Sequence, residues 1–210
     1  MATWPGDRPL VGTSVRLDPS VPADAEGLFT ALDDERVWAA GYAGGPAARP
    51  ADPAGWAERV EAAQRDRRAM YTVRQLDGGR VVGTSSLGDV DLYNERIHLG
   101  WTAYSPDVWG TAVNPECKLL LMTHAFEDCG FGRVKIQTDL INARSQAAIA
   151  KLGAAREGVL RRHMRRADGT WRDSVVFSVV IEEWPGVRAG LERRLVELSR
   201  RSPGDLTVTP

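Results

Sequence analysis

Apolar positions along the chain fall into blocks of two periods, and the blocks set out the expected architecture. Ala25, Leu28 and Leu32 recur at helical spacing in "PADAEGLFTALDDERVW", and Trp56, Val60 and Ala63 do so in "PAGWAERVEAAQRD". Between them, Gly41 to Gly55 ("GYAGGPAARPADPAG") reads as a loop joining two early helices, with an interdomain linker as the alternative. "AMYTVRQ" and "RVVGTSSLGDVD" follow as strands, and Asp77-Gly78 between them is a hairpin signal. "ERIHLGWTAY" is a further strand. The segment "NPECKLLLMTHAFEDCGFG" predicts a helix with Asn114 as N-cap, Pro115 in the first position and Gly130 as left-handed exit. A strand "RVKIQTDL" leads to a second capped helix, Asn142 to Gly153. "EGVLRRHMRR" and "WRDSVVFSVV" flank another hairpin signal, Asp168-Gly169. "GVRAGLERRLVELSRR" is helical in pattern, and "SPGDLTVTP" reads as a frayed tail.

Early helices, an antiparallel meander, then strand–helix–strand–helix–hairpin predict one mixed α/β (α+β) domain. Composition narrows the function classes. The 210 residues suit one domain or one domain with an appendage, and 43% hydrophobic content supports a core. A net charge of −1 argues against a nucleic-acid binder, although Arg161, Arg162, Arg165, Arg166 and Arg172 crowd one hairpin. On a strand those arginines alternate faces, which divides the patch and favours a solvated hairpin. No apolar run reaches the roughly 18 residues of a membrane span, and the N-terminus lacks the order of a signal peptide. Cys117 and Cys129 are too few for a disulfide framework, so a cytoplasmic setting is expected; Cys117 would act as a nucleophile only if its thiol were activated. His98, His124 and His163 show no zinc spacing, and no metal is expected.

Two places carry candidate chemistry. The first is "SPDVWGTAVNPE", a loop feeding a helix N-terminus, where unpaired amides and about half a positive charge can hold an anion. Gly110 allows close approach, Ala112 is small and Thr111 adds a hydroxyl, whereas Glu116 in the first turn would compete with a bound anion unless it turns away. An ordinary capped helix is the alternative. The second is "RIHLGW", where alternation puts His98 and Gly100 on one face and Ile97 and Leu99 on the other.

From Leu87 to Trp184 the chain resembles the GNAT superfamily of acyl-CoA-dependent N-acetyltransferases, and within it the Rim type, which includes ribosomal-protein N-terminal acetyltransferases. Four pieces carry the likeness in order: "IHLGWTAY", "WGTAVNPECKLLLMTHAFE", "NARSQAAIAKLGAAREG" and "ADGTWRDSVVFSVVIEEW". The resemblance implies a single GNAT-like domain over 1–184, with a central, mixed, mainly antiparallel twisted sheet flanked by helices, and a helical extension and tail over 185–210. It implies acetyl-CoA as donor, with succinyl or another acyl group as the alternative, and direct transfer to a primary amine on a protein or a small molecule. The implied phosphate site runs over Trp109, Gly110, Thr111, Ala112, Val113 and Asn114, and the acyl and pantetheine site over Gly100, Trp101, Thr102 and Ala103. Asn142 and Ser145 share a face at the later helix start; Ser145 is the candidate partner of the leaving sulfur. His98 is the candidate base, ahead of Glu95, Asp91 and Asp89. The chain departs from the family where Ala112 and Asn114 replace glycines, where Ile149 replaces a common tyrosine and where His98 replaces a glutamate. A non-catalytic acyl-CoA-binding module is therefore the competing expectation. A homodimer through edge strands or the last helix is a further expectation, with no nucleic-acid or membrane partner.

Overall fold

The computed structural model describes residues 1–200. Its centre is an eight-stranded sheet in the order β1-β2-β3-β4-β5-β6-β8-β7. The strands are β1 (Leu10–Val11), β2 (Val15–Pro19), β3 (Ala69–Gln75), β4 (Val81–Asp91), β5 (Arg96–Tyr104), β6 (Arg133–Asp139), β7 (Ala155–Arg165) and β8 (Trp171–Val180). Six helices flank it: α1 (Ala25–Leu32), α2 (Glu35–Ala39), α3 (Pro53–Arg65), α4 (Val113–Thr123), α5 (Ala143–Ala150) and α6 (Trp184–Ser199). Every neighbouring strand pair is antiparallel except β5 with β6. The mixed, mainly antiparallel sheet expected from the sequence is present. β1 and β2 were not in the expected order of elements. β2 is a five-residue segment whose inward set is only Val15 and Leu17, too short for a period to stand out.

Each face of the sheet has its own core. Leu28, Leu32, Trp38, Trp56 and Val60 from α1 to α3 cover one face, meeting Met70 and Ala103. Leu121, Met122, Phe126, Trp184 and Leu191 cover the other, meeting Ile97, Leu99 and Tyr104. α6 thus closes onto α4 through Trp184, Val187 and Leu191. The segment "SPGDLTVTP" lies outside the described residues.

The expected turns are in place: Gly78, Gly130, Gly153 and Gly169 all hold positive φ, between +71° and +88°. Two bulges depart from simple alternation. In β5, Trp101 (φ +50°) adds a residue opposite Ser85, so Ala103 joins the α3 face and Tyr104 the α4 face. In β7, Arg162 (φ +51°) breaks the period that would separate Arg162 from Arg165. Both guanidinium groups instead stack on Trp171, at 4.4 and 4.6 Å.

Candidate active site

The parallel pairing of β5 with β6 covers only Arg96, Ile97 and His98. Beyond His98 the two strands part, so the β5 edge from Leu99 to Tyr104 has no strand partner on that side among the described residues. Backbone groups left this way must find another partner or remain unsatisfied. The parting opens a cleft of about 710 Å³, floored by β5 and walled by α5 and the Gly41–Gly44 loop.

At one end of the cleft α4 begins. The expected N-cap, Asn114, does not cap: the helix starts at Val113, and its cap position, Ala112, offers no side-chain bond. The local cause is Thr111, whose Oγ1 accepts from the Val113 amide at 3.3 Å and donates to the Val108 carbonyl at 2.7 Å. That hydroxyl is therefore spent on closing the loop. Among the described residues, the amides of Gly110, Ala112 and Asn114 have no hydrogen-bond partner. Trp109, Gly110 and Asn114 line the cleft, whereas the Val113 side chain is buried in the core. Glu116 does not compete. Its carboxylate is buried and turned to the β1–β2 turn, accepting from the amides of Thr13 and Ser14 and from Ser14 Oγ. Arg144 stacks over Trp109 at 3.7 Å, adding a cation at this mouth.

α5 supplies one wall. Asn142 caps it, accepting from the Ser145 amide at 2.9 Å, and its Nδ2 donates to the Ala40 carbonyl, tying α5 to the end of α2. Ser145 is half-buried, lines the cleft and makes no side-chain hydrogen bond among the described residues. Ile149 also faces the cleft and brings no hydroxyl.

At the other end stands His98, 4% exposed. Nδ1 lies 3.2 Å from Asp89 Oδ2, which also receives Lys135 Nζ at 3.0 Å. Asp89 is held well below the usual carboxylate range, first by its hydrogen bond to His98. An ionised Asp89 accepts from Nδ1–H, which leaves Nε2 as the lone-pair nitrogen. Nε2 is buried and has no partner among the described residues. Burial lowers the pKa of the ring, so it is neutral at pH 7. Gly100 shares its face as expected: a Cβ there would sit 2.6 Å from Nε2. Trp101 packs on the ring with centroids 4.7 Å apart. Of the other base candidates, Asp91 is bound to Asn94 and Arg96 outside the cleft, and Glu95 faces the Gly132 backbone.

Several residues at the site were not singled out from the sequence. Lys118 is buried and donates to Thr102 Oγ1 at 2.9 Å, and Thr102 also meets Ser85 Oγ at 2.7 Å. Burial lowers the Lys118 pKa to about 8. A lysine on the same helical stripe as Leu121 and Met122 was the available signal. Arg59, Arg68 and Tyr42 line the cleft from loops and α3, and no local pattern marks them. Cys117 is buried with its thiol pushed up to about 12, so it holds no thiolate at neutral pH. Among the described residues, no helix is long and apolar enough to cross a membrane.

This geometry has relatives. Residues 14–155 match the model of the acetyltransferase (GNAT) domain. A Bacillus subtilis protein named "Putative ribosomal N-acetyltransferase YdaF" is 30% identical over 112 residues, which take in 53% of this chain and 60% of that protein. The chain thus spans about three fifths of the length of that curated relative. The solved structure of a putative acetyltransferase from T. thermophilus is 36% identical, with a TM-score of 0.81 over 92% of this chain and 100% of the other. A GCN5-related N-acetyltransferase from Brucella melitensis shares the fold at a TM-score of 0.85 and 24% identity, over 97% of this chain and 90% of the other. With more than half of its length matched by the domain model, the chain belongs to the GNAT acetyltransferase family.

Proposed function

We propose that this protein transfers the acetyl group of acetyl-CoA directly to a primary amine bound in the same cleft. The observation that carries this reading is the unpaired β5 edge running up to three unpartnered amides at the start of α4. A pyrophosphate satisfies such amides and is favoured by the helix dipole. The backbone of Gly100 to Ala103 is free to pair with the amides of a pantetheine arm and to steady the thioester oxygen. Acetyl-CoA supplies a thioester carbonyl open to attack by an amine and a thiolate that can leave. His98 Nε2 takes the proton of the attacking amine, with Asp89 holding the ring in the tautomer that leaves Nε2 free. Ser145 Oγ donates to the departing sulfur.

The name of the Bacillus subtilis relative, and a fold shared with Mycobacterium smegmatis RimJ solved with CoA-disulfide, support acceptor chemistry of the Rim type, an N-terminal amine. Ile149, which places an apolar side chain where a hydroxyl would assist the leaving group, favours the second reading, a module that binds acyl-CoA without transferring the acyl group. Incubation with acetyl-CoA and a panel of amines separates the two. Amine-dependent release of CoA supports transfer; tight binding with no release supports the module; no binding removes both.

A further inference from the structure

The cleft has a second set of unmet groups, on the wall formed by α3 and the segment before β3. His98 and Tyr104 are six residues apart on β5, about 20 Å at strand spacing. Arg68 belongs to the His98 end. Its guanidinium lies 4.8 Å from the centre of the Trp101 ring, and Nη1 donates to Ser86 Oγ at 2.9 Å, where Ser86 pairs with Gly100. Arg59 is held between Trp38 and Trp56, 5.6 Å from each ring, with Nη2 on the Ala48 carbonyl. Tyr42 stacks on Trp56 at 6.3 Å and completes the wall. Both guanidinium groups line the cleft, and among the described residues neither has a carboxylate within 4.0 Å. Arg74, Arg133 and Arg166, by contrast, are each ion-paired.

The carboxylates nearby are already committed or out of reach. Asp139 lines the cleft but is held by Arg166 through two bonds, at 2.7 and 3.0 Å. Asp89 serves His98 and Lys135, and Asp66 forms no ion pair with Arg68. Two half-buried cations without a carboxylate in ion-pair reach, fixed by aromatic rings rather than by acids, are costly unless a ligand supplies the charge. A guanidinium fork matches a carboxylate in shape as well as in sign.

On the acetyl-transfer reading above, we propose that the acceptor is an anionic amine, one whose amino group stands a few bonds from a carboxylate that docks on Arg59 and Arg68. The same cations disfavour an ammonium, which eases loss of its proton toward His98. The carboxylate belongs either to an acidic residue at a peptide N-terminus or to a free amino acid.

Matched acceptors test this with the unaltered protein: Glu-Gly amide against Gln-Gly amide, and free glutamate against glutamine amide, which carries no carboxylate, each followed by CoA release. The carboxylate member of at least one pair is expected to show a kcat/KM at least tenfold higher. Preference within the peptide pair alone identifies an N-terminus, and within the free pair alone an amino acid. Arg68→Gln and Arg59→Gln are expected to bring that ratio close to one while calorimetric CoA affinity stays at the parent value. Equal rates within both pairs, a neutral acceptor favoured, or no acceptor in either pair acetylated would overturn the proposal. So would a loss of affinity for CoA but not for dephospho-CoA in the arginine variants, because the guanidinium groups would then serve the 3′-phosphate. If acetyl-CoA is not bound at all, the transferase reading falls and this inference with it; transfer blind to acceptor charge removes this inference alone.

Discussion

The two ends of the cleft are built by different means. At the α4 end the groups on offer are backbone amides of Gly110, Ala112 and Asn114, with Glu116 turned away and Arg144 stacked on Trp109 beside them. At the His98 end they are long side chains held by stacking, His98 and Arg68 on Trp101, and Arg59 is held in the same way between Trp38 and Trp56 on the α3 wall. A backbone site tolerates change in side-chain identity. On the proposed reading Ala112 and Asn114 can stand in the place of glycines because their amides, not their side chains, would be the donors; Gly110, at φ +80°, needs its residue type. A side-chain site has no such tolerance, and it is where one protein differs from another with the same fold.

If that contrast is right, the largest effect on rate comes from the side-chain end. His98→Gln is expected to lower the acceptor-dependent rate by about 10²–10⁴-fold, with CoA affinity unchanged. The pH profile adds a sign. His98 acts as a base only when neutral, and burial lowers its pKa, so the acid limb of the parent lies below pH 6.5. That limb should flatten in the variant. A full rate across the acidic range would move the base elsewhere.

The next effect probes the backbone end. Gly110→Asp puts a like charge against the proposed pyrophosphate at a positive φ that aspartate adopts less readily. At about 6 Å and an effective dielectric near 20 the repulsion is about 3 kcal/mol, so CoA affinity should fall on the order of 100-fold with the fold intact. Unchanged calorimetric affinity would remove the loop from the site. Ser145→Ala should be smaller, about tenfold in turnover with little change in acetyl-CoA affinity, as for one hydrogen bond to a charged group. Equal turnover would leave Ser145 with no part in the chemistry.

The smallest expected effect is a change of shape in a stability curve. Lys118 has a folded pKa of about 8 against 10.5 for the free side chain. Between pH 8 and 10.5 the unfolded chain holds a proton that the folded one lacks, so this group makes stability rise with pH across that window. Below pH 8 its burial penalty is present in full. Denaturant melts of the parent and Lys118→Met should therefore show a gap that is largest below pH 8 and narrows toward pH 10.5. A constant gap would mean that the ammonium is not desolvated.

How legible these features were follows from how local they are. Trp56, Val60 and Ala63 sit on one turn-spaced stripe, and they are the residues α3 buries. The exits at Gly130 and Gly153 depend on one residue each and were readable. Asn114 misled because a good capping residue stood close to Thr111, whose hydroxyl started the helix two residues earlier. Alternation placed His98 beside Gly100 correctly, then failed for the rest of β5, where the bulge falls on Trp101, a residue type that rarely adopts a positive φ. The parting of β5 from β6 is a property of two strands far apart in the chain and leaves no mark on either. Arg59 and Arg68 become a pair only when α3 and the start of β3 meet over β5.

The claim on which both ends depend is that acetyl-CoA lies along β5 with its phosphates on α4 and its thioester toward His98. A crystal structure of the protein with CoA tests it most directly. The account predicts pyrophosphate oxygens within hydrogen-bond distance of the Gly110, Ala112 and Asn114 amides, and the sulfur between Gly100 and Ser145. CoA bound with its pyrophosphate away from that loop, or with its sulfur pointing away from β5, would contradict it.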